Sequence, residues 1–229
     1  MSPDSEASAR PEPVEGRPLV RVVDRALPPG RFARLRRGVV ALGTENLRRG
    51  YQTTFWFAAG AAPTSLVEEA ILALRAHYPP DVAGFEWWLS RMRTSAVAVD
   101  FHADCDEVLL RRGGPLVHPA ASSVLFLNRC RGGLLAVSPE PPDERNPARA
   151  PADLSTLDLV RPWPNRLALF PGDATHGVLD ANGAVPHGRL RPATPLRLAI
   201  AVNAWRARPT GVPAFARSAR YRALRIHPR

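Results

Sequence analysis

Apolar positions follow two periods along this chain, and the change between them divides it. Residues 1–17 show neither: Pro, Ser, Glu and Ala succeed one another without an apolar face, which predicts a disordered tail. From 18 to 93 the pattern is mainly helical. Leu19-Val20-Arg21-Val22-Val23 is a short strand. After Pro28-Pro29-Gly30, Phe32, Leu35, Val39 and Leu42 recur at the spacing of one helix face, with Arg31, Arg34, Arg36 and Arg37 as its solvated side. Tyr51 to Phe57 reads as a strand. Ser65-Leu66-Val67-Glu68 has the form of a capping box, opening a helix whose stripe is Val67, Ala70, Ile71, Leu74 and Tyr78 and which Pro79-Pro80 ends. Two such helices predict a layer backing a sheet. Phe85, Trp87 and Trp88 form an aromatic cluster, open to two readings: core packing or a pocket wall.

From residue 94 the period is two. Val97 to Asp106 alternates as a strand, and short apolar runs follow at Ser123–Leu127, Leu134–Val137, Arg166–Phe170 and Leu196–Val202. Gly and Pro separate them, and no helical period intervenes. That favours a sandwich or jelly roll over a parallel sheet. Residues 138–162, rich in proline and polar side chains, predict a long loop and a candidate lid. The expected organisation is a single domain over 18–229: N-terminal helices at 18–93, a β core at 94–206 and a C-terminal tail at 207–229.

Candidate chemistry sits at the end of the first β run. In an extended chain residues i and i+2 share a face, so His102 and Asp104 can aim at one point. His176 follows the run Arg166–Phe170 and the turn Pro171-Gly172-Asp173. Two imidazoles and one carboxylate are the facial triad of non-haem Fe(II), with three coordination positions left open. By itself H-x-D with a distant His is a loose pattern, and a solvated loop acid beside two unrelated histidines fits it equally. Asp106 returns to the ligand face as a competing ligand, while Cys105 points the other way. His118 has the context of a turn histidine. His187 and His227 lie in exposed Pro/Arg-rich segments, and Cys130 between Arg129 and Arg131 is either a loop thiol or one with a lowered pKa.

Composition narrows the classes. At 229 residues and 45% hydrophobic content the chain suits one globular domain. It shows no apolar run long enough to cross a membrane. It begins with neither a basic nor an apolar segment, so no secretory signal is visible. Two cysteines make no disulfide scaffold, and a reducing cytoplasm is the expected location. The net charge of +10 points towards nucleic acid, but all 31 basic residues are arginine and they are scattered, so no nucleic-acid partner is expected. Without lysine, Schiff-base chemistry is excluded, and a buried anion must be held by arginine or by neutral donors.

Taken in order, six pieces resemble a known family: His102-Ala103-Asp104; Ser123-Val124-Leu125-Phe126-Leu127-Asn128; Gly132-Gly133-Leu134-Leu135; Asn165-Arg166-Leu167-Ala168-Leu169-Phe170; His176-Gly177-Val178; and Arg197-Leu198-Ala199-Ile200-Ala201-Val202-Asn203-Ala204-Trp205. Over roughly residues 94 to 206 the set is similar to the Fe(II)- and 2-oxoglutarate-dependent dioxygenases, nearest the prolyl-hydroxylase-like branch. The resemblance implies a mainly β fold with supporting helices, a double-stranded β-helix (jelly roll, cupin-like). It implies His102, Asp104 and His176 as the Fe(II) ligands, and Arg197 as the clamp for the distal carboxylate of the cosubstrate 2-oxoglutarate. Leu135 would belong to the cosubstrate wall, and ascorbate would be an in vitro additive.

The family branch usually has tyrosine where this chain has Phe126, so Ser123 or Asn128 would have to supply a compensating donor. Residues 177–196 separate His176 from Arg197 by more than is usual in the family. They contain Asn182-Gly183 and Pro186-His187, read as an extended loop at the mouth of the site. Arg189 and Arg191 stand next in line to Arg197. With Asp104 at the position that chloride would need, oxygenation and not halogenation is expected. The implied activity is hydroxylation of a C–H bond in a small-molecule or amino-acid-derived substrate, with release of succinate and CO2. The rival within the class is a protein or peptide (prolyl-type) hydroxylase. The rival from another class is a non-catalytic cupin-like metal-binding or sensor protein. Substrate identity and oligomeric state are not legible.

Overall fold

A computed structural model describes residues 18–43, 53–91, 101–140, 153–180 and 197–226. The expected N-terminal tail, Val97 to Asp100, the centre of the 138–162 loop, Asn182-Gly183, Pro186-His187, Arg189, Arg191 and His227 lie outside the described residues.

Nine strands and three helices are described: β1 (Arg21–Asp24), α1 (Pro29–Ala41), β2 (Phe55–Ala58), α2 (Leu66–Ala73), β3 (Gly84–Arg91), α3 (Glu107–Arg111), β4 (Ala121–Phe126), β5 (Leu134–Val137), β6 (Asp158–Val160), β7 (Arg166–Pro171), β8 (His176–Leu179) and β9 (Leu198–Trp205). The strands form two sheets, in the orders β1-β7-β4-β9-β3-β2 and β6-β5-β8, with every pairing antiparallel. An isolated antiparallel bridge, His102 to His176, adds the chain at 102 to the open side of β8. After β3 the chain therefore crosses to the small sheet at His102, back to β4, over to β5 and β6, back to β7, over to β8 and back to β9. That alternation is the order of a jelly roll. The fold is mainly β with supporting helices.

Period-two alternation sorts the strands' side chains into two layers. Phe85, Trp87 and Leu89 of β3, Leu125 of β4, Leu167 and Leu169 of β7, and Ile200, Val202 and Ala204 of β9 face outward. There they meet Leu35, Val39 and Leu42 of the α1 region and Val67, Ala70, Ile71 and Leu74 of the α2 region. The helix stripes read from the sequence are thus the cover of the large sheet. Burying each such side chain contributes about 1.5–3 kcal/mol. Between the sheets lies a smaller core of Val124, Phe126, Ala168, Phe170 and Ala199 from one side and Leu135, Val137 and Val160 from the other.

Several local expectations are corrected or refined. The segment from Ala103 to Asp106 is not strand; Asp106 instead caps α3, its side chain accepting a hydrogen bond from Leu109 N–H. A short helix stands where strands alone were expected, because a capping aspartate precedes Glu107-Val108-Leu109-Leu110. The 138–162 loop contains β6, paired with β5. The aromatic cluster is itself β3, whose residues alternate between layers: Phe85 and Trp87 belong to the helix-side core, while Trp88 faces the other way. At α2, Ser65 Oγ caps Glu68 N–H at 3.1 Å as the sequence suggests, but the Glu68 carboxylate turns to Thr64, accepting from its N–H at 2.6 Å and its hydroxyl at 2.7 Å.

Candidate metal centre

His102 and His176 are locked together before any metal is considered. Each backbone N–H donates to the other residue's carbonyl, at 2.9 and 2.8 Å, which sets the two imidazoles side by side with ring centroids 4.5 Å apart. Two glycines permit this register. A Cβ at Gly177 would meet the ring of Phe101 at 3.1 Å, and one at Gly172, in the turn before β8, would fall 2.0 Å from the Pro119 carbonyl. Phe101, fully buried against Ala136 and Leu179, anchors the chain just before His102 on the outer side of the small sheet.

Asp104 reaches both imidazoles. Its oxygens stand 3.6 Å from His102 Nε2 and 3.6 Å from His176 Nε2. One donor atom from each of His102, Asp104 and His176 lies within 4.8 Å of the others, and no other such group occurs among the described residues. His176 Nδ1 is 3.0 Å from the Ala174 carbonyl. A carbonyl only accepts, so Nδ1 carries the proton and Nε2 presents its lone pair to the triad's centre. Burial lowers the pKa of His176 against the opposing pull of Asp104, and His102 and Arg197 lower it further. Burial alone would raise the pKa of Asp104; the facing His176 and His102 and the Asn203 amide reverse this and hold it below the usual carboxylate range. Two imidazoles and one carboxylate converging on one point fit a divalent first-row ion with open positions.

Around the triad stand residues that the motifs did not flag. Ser122 Oγ donates to Asn203 Oδ1 at 2.8 Å, which fixes the amide so that its NH2 serves Asp104. His118 Nδ1 donates to the Asp104 carbonyl at 2.7 Å, giving this turn histidine a structural task. Asp106 is no competing ligand: its two oxygens accept from Leu109 N–H at 3.0 Å and Thr210 N–H at 2.7 Å, tying the ligand loop to the C-terminal segment. The signal for Asn203 was present, since alternation from Arg197 through Ala199 and Ala201 leads to it.

Arg197 is 2% exposed and immediately precedes β9, with its guanidinium 5.1 Å above the Phe126 ring. Leu135, 1% exposed, packs in the same inter-sheet core as Phe126 and Ala199. Asn128 Oδ1 accepts from Leu198 N–H at 2.8 Å and so holds the start of β9 beside Arg197. Ser123 is misplaced in the sequence reading. It points to the helix side, where its hydroxyl meets Tyr78 OH at 2.8 Å and donates to the Val202 carbonyl at 3.1 Å. Phe126 contributes a cation–π face to Arg197 in place of a hydroxyl. Cys105 and Cys130 are free thiols, and burial raises the pKa of both, so Cys130 is not an activated thiol.

A cavity of about 490 Å³ opens onto His102 and Asp104. Thr54, Glu86, Trp88, Asn203, residues of α3 and residues 209–212 line it, as does Cys105. Glu86 accepts a hydrogen bond from Trp205 Nε1 at 3.1 Å. Its pKa is pushed up to about 7, by burial first and then by the charge of Asp104. No helix among the described residues is long and apolar enough to cross a membrane.

No family model matches the chain, and no curated protein matches it. Solved structures do. A Pseudomonas putida prolyl-4-hydroxylase aligns at 19% identity and TM-score 0.44, over 83% of this chain and 89% of its own. A prolyl 4-hydroxylase from Phytophthora capsici aligns at 17% identity and TM-score 0.47, over 86% of this chain and 61% of its own. A prolyl hydroxylase from Trichoplax adhaerens, in complex with a hypoxia inducible factor peptide fragment, aligns at 12% identity and TM-score 0.46, over 82% and 83%. The structural neighbours of this chain are thus prolyl hydroxylases, at a likeness too low to carry any residue of theirs onto it.

Proposed function

We propose that this protein is an Fe(II)- and 2-oxoglutarate-dependent dioxygenase that hydroxylates a C–H bond of a small-molecule or amino-acid-derived substrate. The observation that carries the reading is the convergence of His102 Nε2, His176 Nε2 and the Asp104 carboxylate within 4.8 Å, beside a cavity large enough for such a substrate. Fe(II) bound there would couple oxidative decarboxylation of 2-oxoglutarate by O2, giving succinate and CO2, to oxidation of the substrate. The chain's own residues do the rest. Asn203, positioned by Ser122, orients Asp104. The Ala174 carbonyl fixes the His176 tautomer. Arg197, steadied over Phe126 and flanked by Ala199, offers a buried guanidinium to a dicarboxylate.

A peptide hydroxylase is the second reading. Leu110, Leu116 and Val117, large and exposed in the segment that follows the metal ligands, favour it. The test is succinate formation from 2-oxoglutarate with Fe(II) and ascorbate, in the parent chain and in Asp104→Ala. Activity in the parent and none in the variant is expected, and equal activity in both would refute the reading.

A further inference from the structure

The cavity beside the triad is acidic in a basic protein. Its walls carry Glu86, Asp104, Asp106 and Glu107 against a single Arg111, while the chain as a whole is +10. Three of these carboxylates are already engaged. Asp104 faces the two imidazoles, Asp106 accepts two backbone N–H groups, and Glu107 is paired with Arg111 at 3.1 Å. Glu86 is different. Its partners are the neutral donors Trp205 Nε1 and Thr54, and among the described residues no guanidinium or imidazole pairs with it. Two residues along β3 on the same face stands Trp88, also in the cavity wall, and its cross-strand neighbour is the small Ala201. A recessed carboxylate next to an indole is the combination that recognises an organic cation: one supplies the countercharge, the other a π face. A cation in the same place would favour the charged form of Glu86, which burial and the charge of Asp104 oppose.

We propose that Glu86 and Trp88 determine specificity, and that the substrate carries an ammonium or guanidinium group close to the carbon that is oxidised. The proposal takes the cavity as the substrate site of the dioxygenase proposed above.

The test titrates the full chain, loaded with Fe(II) under argon and without keto acid, by calorimetry. The probes are N-acetyl-arginine amide, N-acetyl-lysine amide and neutral N-acetyl-citrulline amide. One or both cations should bind about tenfold or more tightly than the citrulline probe, and the better of the two tells guanidinium from ammonium. Glu86→Gln should bring that preference within about threefold, and Trp88→Leu should weaken the cation by about threefold while sparing the citrulline probe. Equal binding of all three probes, no binding of either cation at millimolar concentration, or a preference that survives in both Glu86→Gln and Trp88→Leu would overturn the proposal. Succinate is not read here, so a chain without dioxygenase activity would still give a clear result.

Discussion

Asp104 owes part of its aim to a neighbour that binds no metal. The Asn203 amide donates to it, and Ser122 holds that amide. Removing such a support typically costs about 10–100-fold in metal affinity. Asn203→Ala should therefore weaken Fe(II) binding on that scale, read by metal titration, with the circular dichroism spectrum retained. Arg197 gives a sharper contrast. Loss of one partner from a buried charge pair costs about 2–5 kcal/mol, roughly 30-fold to several thousand-fold. Arg197→Leu should bind Fe(II) nearly as the parent does but lose 2-oxoglutarate affinity by that factor, followed by the metal-to-ligand charge-transfer absorption. A change within about threefold would move the clamp elsewhere. Ser123→Ala should do the reverse. It strands the Tyr78 hydroxyl in the core and lowers stability by about 1–3 kcal/mol in a denaturant titration, with 2-oxoglutarate affinity unchanged.

Ser122 and Ser123 also mark where the sequence stops being readable at the level of elements. β4 is central in the large sheet and buried on both faces, from Ser122 to Phe126, so no polar alternation shows which serine faces the site. The same holds for β3, where Phe85, Trp87 and Trp88 are all aromatic although they belong to different faces. By contrast, α1, α2, β5 and β7 each carry an apolar pattern or punctuation that fixes them, and the expected ranges lie close to the observed ones. The His–x–Asp spacing was legible for a different reason than supposed. Only His102 makes a bridge, and Asp104 is brought round by the loop that Asp106 and His118 hold. Gly177 sits beside the metal ligand His176 in β8. Its missing Cβ admits Phe101, and Gly177→Ala should press on that ring, costing about 1–3 kcal/mol of stability and displacing His102 enough to weaken metal binding.

At the scale of the whole molecule, the α1 and α2 regions cover the outer face of the large sheet, and β9 contributes only the small Ala199 to the inter-sheet core, with the buried Arg197 just before it. The cavity opens on His102 and Asp104, beside α3 and residues 209–212. The most direct test is oxygen-dependent formation of succinate from 2-oxoglutarate by the full chain as Fe(II) is added. Succinate should rise with Fe(II) to saturation near one equivalent, disappear under argon, and be absent in His176→Ala that retains its fold. Succinate that does not depend on Fe(II), or that His176→Ala forms at the parent's rate, would contradict the assignment of His102, Asp104 and His176 as the metal centre of a dioxygenase.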